Sequence, residues 1–175
     1  SPIETIKILD HIIKSKSPSY VRICRNNVSE IFDKNYKFVP GKPVELIKSK
    51  KNVIISSGPL IHNCLQATKF LKKKNIDTGL ININSIKPFN YKLLEKLLKF
   101  KKNICVIEDH VSHGGLYSLV YETLAKSKLK NYNVKSLNLD EKFSESGNPD
   151  DLEKEYGFDP EKIAKKFYEQ INLAK

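Results

Sequence analysis

From residue 44 onward, short apolar runs alternate with helical patterns, and this alternation constrains the fold more than any other feature of the chain. Residues 44–47, 52–58, 78–83, 103–107 and 134–139 read as strands. Residues 59–74, 91–100, 116–127, 149–156 and 160–171 read as helices, with Pro59, Pro149 and Pro160 at first helical positions, where a missing N–H costs nothing. Strands separated by helices imply right-handed crossovers. The expected class is therefore α/β, a mostly parallel five-stranded sheet with helices on both faces. The direction of the last strand is left open by the pattern.

Ahead of this unit, Ser1-Pro2-Ile3-Glu4 forms a capping box with Pro at the first helical position, and apolar residues from Ile3 to Ile13 give the helix one apolar face. Residues 20–25 read as a strand, completing a helix–strand pair. From 26 to 43 no period is sustained, which marks a linker. The expected organisation is thus residues 1–25 from a neighbouring domain, 26–43 as linker, and 44–175 as the main domain. No methionine occurs anywhere, which predicts a segment of something longer.

The net charge of +11 comes almost wholly from lysine, in runs such as Lys72-Lys73-Lys74, Lys101-Lys102 and Lys165-Lys166. These runs lack the interleaved aromatic residues on which bases stack, so no nucleic-acid partner is expected. No run is long and apolar enough to span a bilayer, so a cytoplasmic protein with no membrane partner is expected. The three cysteines, Cys24, Cys64 and Cys105, have apolar neighbours and no ligand spacing, which predicts buried free thiols and no metal site.

Glu108, Asp109, His110 and His113 follow an apolar strand and precede Gly114-Gly115 and a helix. That is the strand end at which open α/β sheets gather ligands and catalytic groups. The same residues equally suit a polar loop whose acids cap the next helix or meet a partner subunit. Gly114-Gly115 lacks dinucleotide-fingerprint spacing, and Ser56-Ser57-Gly58 is a weak phosphate signal because Pro59 removes a donor. Arg22 and Arg25, near the end of the predicted strand at 20–25, carry guanidinium forks suited to phosphate or to a carboxylate partner.

The order of several motifs resembles the C-terminal part of transketolase. They are Pro18 to Arg25, Ile54-Ile55-Ser56-Ser57-Gly58, Ile83 to Pro88 with its Ile-Lys-Pro turn, Glu108 to Ser118, Phe143-Ser144-Glu145-Ser146-Gly147 and Tyr156-Gly157-Phe158. The resemblance implies an enzyme that carries thiamine diphosphate and Mg2+ and moves a two-carbon ketol unit between sugar phosphates. It assigns residues 1–25 to the end of the pyrimidine-binding domain and 44–175 to the C-terminal domain. The cofactor-binding parts then lie on other domains, leaving no catalytic residue and no bound cofactor in this chain alone.

By the same resemblance Arg25, with Arg22 beside it, contacts the substrate phosphate. Glu108, Asp109, His110, His113, Gly114 and Gly115 become an assembly edge facing a neighbouring domain or the partner in a homodimer. Phe143 to Gly147 and Tyr156-Gly157-Phe158 favour transketolase over deoxyxylulose-phosphate synthase and the beta subunits of 2-oxoacid dehydrogenases. The alternatives remaining open are a C-terminal part of one of those two families, or a stand-alone docking module.

Overall fold

The computed structural model describes residues 1–24, 27–141 and 143–173. Five strands form one sheet in the order β1-β3-β2-β4-β5: β1 (Val44–Ile47), β2 (Asn52–Ser56), β3 (Thr78–Asn82), β4 (Asn103–Ile107) and β5 (Asn133–Leu137). β2 pairs in parallel with both β3 and β4, and β4 with β5. β1 runs antiparallel to β3. All of β3, and every residue of β2 and β4 except the first, is buried. Strands covered on both faces read as continuous apolar runs for this reason.

Among the described residues six α-helices accompany the sheet: α1 (Pro2–Lys14), α2 (Ile61–Lys73), α3 (Tyr91–Leu98), α4 (Leu116–Lys126), α5 (Pro149–Glu155) and α6 (Pro160–Leu173). On one face Leu71 of α2 and Phe167 of α6 share a core with Ile54, Leu80 and Ile107. On the other, Leu94 and Leu98 of α3 and Val120 of α4 cover Val53, Ile81, Ile104 and Val106. The alternation of inward side chains along each strand feeds both cores at once. α2 therefore crosses on one side of the sheet and α3 and α4 on the other, so the crossovers change side between β2 and β4. Open α/β sheets bind ligands at such a switch point, outside the carboxyl ends of the strands.

The α/β class, the five strands and their mostly parallel order agree with the sequence expectation. The last strand, whose direction the pattern left open, is parallel, and the antiparallel strand is β1: it is joined to β2 by only four residues, 48–51, too few for a parallel crossover. Two details differ. Residues 18–24 are not a strand, and Tyr20 is 90% exposed. A strand exists only through a ladder partner, and this segment has none among the described residues. Cys24, on the same segment, is consequently exposed, whereas burial pushes the Cys64 and Cys105 thiols up to about 12.

Candidate functional site

At the carboxyl edge of the sheet, Glu108 to His113 follow directly from the end of β4. The loop after β4 is held against the segment after β5 by two backbone bonds, Glu108 N–H to the Leu137 carbonyl (3.1 Å) and Leu139 N–H to the His110 carbonyl (3.0 Å). α4 begins at Leu116 behind Gly115, which offers no side chain to cap it. Glu108 does so instead from eight residues upstream. Its buried carboxylate accepts the N–H of Leu116 at 2.6 Å and of Tyr117 at 2.9 Å. This satisfies donors the first helical turn leaves unpaired and sets negative charge at the positive helix end.

The glycine pair divides two tasks. Gly114 has φ +75°, a conformation that disfavours side chains, and its N–H donates to Ser118 Oγ at 2.9 Å. At Gly115 a Cβ would stand 2.3 Å from Glu108 Oε2, so the space belongs to the capping carboxylate.

The polar residues picked out by sequence do not converge. Glu108 turns inward and is consumed by the helix start. Asp109, His110 and His113 point outward, His110 Nδ1 lying 3.0 Å from the Val111 carbonyl oxygen and His113 Nδ1 3.4 Å from the exposed Glu141 carboxylate. An ion pair so open to water is weak. Among the described residues no three of His, Cys, Asp and Glu come together in a way that would hold a metal ion.

A second constellation lies where α1 meets the carboxyl end of β3. Ser1 Oγ accepts the Glu4 N–H as a capping box requires, but the Glu4 carboxylate turns toward the sheet. It accepts Tyr36 Oη–H at 2.9 Å, Asn82 Nδ2–H at 3.0 Å and Asn84 Nδ2–H at 3.2 Å. Asn84 Nδ2 also donates to Tyr36 Oη at 2.8 Å. Burial, with the Glu4 carboxylate adding to it, raises the Tyr36 phenol well above its ordinary range. Sequence reasoning missed this cluster. The signal was present in Ile81-Asn82-Ile83-Asn84, where amides occupy alternate places in a buried run and so demand partners.

Beside the cluster opens a cleft of about 390 Å³, lined by Glu4, Ile8 and Leu9 of α1, by Arg22, and by His62 and Asn84 from the sheet side. Arg22 thus stands on the wall of a cavity at the carboxyl edge. Arg25 lies outside the described residues.

The model of the family described as transketolase, C-terminal domain, matches residues 41–163. The chain belongs to that family. It is 30% identical over 169 residues to a chain of Methanocaldococcus jannaschii that bears the name transketolase C-terminal section, covering 95% of this chain and 52% of that one. It is 34% identical over 173 residues to 1-deoxy-D-xylulose-5-phosphate synthase of Clostridium botulinum, covering 94% of this chain and 27% of the synthase. Among solved structures, a split gene transketolase described as an inactive beta4 tetramer superposes with a TM-score of 0.88 at 25% identity, over 99% of this chain and 56% of that one. The family membership fits the five-stranded, mostly parallel sheet described above. The chain spans about half the length of the first relative and about a quarter of the second.

Proposed function

We propose that this chain is the C-terminal segment of a transketolase-like thiamine-diphosphate enzyme of the cytoplasm that transfers a two-carbon ketol unit between sugar phosphates. Residues 1–25 would end its pyrimidine-binding domain, 26–43 link, and 44–175 form its C-terminal domain. The reading rests above all on the split gene transketolase superposing over 99% of this chain, the segment before residue 44 included. Its partners would be the diphosphate- and pyrimidine-binding domains and a second copy in a homodimer.

Mg2+ bound to a diphosphate needs several oxygen donors in one place. The described residues offer no such group, so they do not fit the cofactor. What the chain itself would contribute is binding and assembly. Arg25, with Arg22 on the cleft wall, would grip a sugar phosphate by the two-pronged geometry of guanidinium. Asp109, His110 and His113 would face a neighbouring domain or subunit as exposed polar groups, across a loop whose Gly114-Gly115 pair allows close backbone approach.

The test pairs this chain with the companion segment bearing the Gly-Asp-Gly diphosphate site and follows ketol transfer between xylulose and ribose phosphates. Activity is expected from the pair and none from this chain alone. Arg25→Ala is expected to raise the Michaelis constant for the phosphorylated acceptor about tenfold or more, as loss of a charged hydrogen bond worth ~1.5–3 kcal/mol implies. Turnover by the chain alone, or an unchanged constant, defeats the corresponding part of the proposal. The 34% identity to a synthase supports a second reading, a C-terminal part of 1-deoxy-D-xylulose-5-phosphate synthase. The same pair releasing 1-deoxy-D-xylulose 5-phosphate in place of transferred ketol units would select it.

A further inference from the structure

The positive charge of this chain is not spread over its surface. Four connections, residues 48–51, 72–77, 96–102 and 126–132, hold thirteen lysines and one acid, Asp77. They carry a net +12 within a chain whose total is +11, so all other residues together come to −1. Each connection leads into the amino end of a parallel strand, β2, β3, β4 or β5. Hydrogen bonds stitch them side by side: Lys102 N–H to the Lys51 carbonyl (2.7 Å), Asn133 N–H to the Lys102 carbonyl (2.6 Å) and Asn52 Nδ2–H to the Asp77 carbonyl (2.9 Å). Twelve of the thirteen lysines are exposed.

The thirteenth, Lys101, is buried and acts as a strut. Its Nζ donates to the Ser49 carbonyl and to Ser49 Oγ (3.3 Å) and lies 3.8 Å from the Glu45 carboxylate, holding the turn at 48–51 against the turn at 99–102. Between these turns runs a groove of about 450 Å³ lined by Lys50, Lys51, Leu97, Phe100 and Lys102. Phe100 is 74% exposed, and Lys99 Nζ sits 5.4 Å from the centre of its ring.

Attraction to helix carboxyl ends accounts for some of these lysines, since α2, α3 and α4 finish here. It does not account for Lys48, Lys50 and Lys51, which follow a strand. The nearby acids are few: Glu45 is taken by Lys101, Glu122 by Lys126 at 3.2 Å, and the Asp77 carboxylate accepts the Lys50 backbone N–H at 3.4 Å. A protein partner suits such an edge poorly, because lysine is depleted at interface cores and the groove offers only Leu97 and Phe100 as apolar anchors. A phosphodiester chain suits it well. It takes flexible point charges along a path, and every base has a face for an exposed aromatic ring.

We propose that the amino-end edge of the sheet binds single-stranded nucleic acid, with Lys50, Lys51 and Lys102 on successive phosphates and Phe100 stacked on a base. The sequence expectation of no such partner assumed scattered lysines; Phe100 already stands between Lys99 and Lys101 in the chain, and folding brings the lysines of the other three connections to the same edge. The edge lies opposite the cleft of the proposed transferase role and does not depend on that role.

The test is fluorescence anisotropy of the whole chain with a fluorescein-labelled oligouridylate of about 20 nucleotides, longer than the ~4–16 nucleotides of a typical single-strand site. K50Q/K51Q/K102Q is expected to weaken binding about tenfold or more and to lower the slope of log affinity against log salt by about 2, at roughly 0.7 per phosphate contact. K7Q/K14Q/K16Q, on α1 and just beyond its end, removes the same charge elsewhere and is expected to change binding by about twofold at most, as charges beyond a Debye length are screened. Phe100→Ala is expected to weaken binding about fivefold or more with the salt slope unchanged. Absence of saturable binding overturns the proposal, as does an equal loss in both triple variants, which would mean net charge alone. A silent Phe100→Ala with inorganic polyphosphate competing equally overturns it in favour of unspecific polyanion attraction. Polyglutamate displacing the oligonucleotide equally well overturns it in favour of an acidic protein.

Discussion

The two edges of the sheet handle charge in opposite ways. At the carboxyl edge two carboxylates, Glu4 and Glu108, are buried and engaged by N–H and O–H donors. At the amino edge a dozen lysines stand in water, and only Lys101 is drawn inside. The contrast teaches where charge stabilises and where it is left available. A buried carboxylate with its donors holds a helix in place, and losing it strands those donors. An exposed lysine contributes little to folding and keeps its charge for something else.

The largest effect should come from breaking the carboxyl edge at Glu108. Glu108→Ala leaves the Leu116 and Tyr117 amides without an acceptor and is expected to cost about 2–4 kcal/mol in urea unfolding. Glu108→Gln keeps one acceptor oxygen and should cost about half as much. A cost below about 1 kcal/mol would show that α4 does not depend on this cap.

Gly115→Ala comes next, at about 1–3 kcal/mol, because the new methyl enters the space of the Glu108 carboxylate. Gly114→Ala meets open space and pays only for its positive φ, about 1 kcal/mol. Thermal unfolding of the two variants, with Gly114→Ala the less stable, would reverse the division of tasks between the pair.

The Glu4 cluster should appear in pH dependence. The Tyr36 phenol is raised in the folded state above its ordinary value of 10.0, so its contribution is fully present below about pH 10 and is lost as pH climbs toward the folded value. Glu4→Gln removes the nearby negative charge. Phenolate absorbance should then show Tyr36 titrating at lower pH than in the parent, and no movement would separate Tyr36 from Glu4. The smallest effect belongs to the amino edge. K50Q, K51Q and K102Q are each expected to shift stability by less than about 0.5 kcal/mol, and a larger loss would make that edge structural.

Much of the fold was legible in the chain. Val53-Ile54-Ile55 and Ile104-Cys105-Val106 announced strands buried on both faces, and Pro149 and Pro160 marked helix starts, while Pro59 stands in a 3-10 turn (Gly58–Leu60) just ahead of α2. The four-residue connection at 48–51 also contains the antiparallel direction of β1, as a consequence of loop length. Over residues 20–24 the expected strand is missing for a different reason. Its composition suits a strand, but a strand is a relation between two segments, and composition describes only one.

The candidate site was legible in kind more than in arrangement. Glu108, Asp109, His110 and His113 do stand at a strand end, as the apolar run before them required. Adjacent residues on a turning loop leave in different directions, so one goes into the core and three into water. Glu4 was read as half of a local capping box, yet it reaches Asn82, 78 residues away. Nothing in a four-residue motif reports such a partner.

By itself, then, the sequence determined the order and kind of elements, because hydrophobic period is a local property that each segment carries within it. It determined too that charge would be plentiful and mainly lysine. The tertiary structure alone decided which carboxylates would be buried and which lysines would meet. Burial depends on what packs from elsewhere in the chain, and charge density on how many separate turns the topology brings to one edge. Four connections far apart in sequence became one surface because every parallel strand must begin at the same side of the sheet.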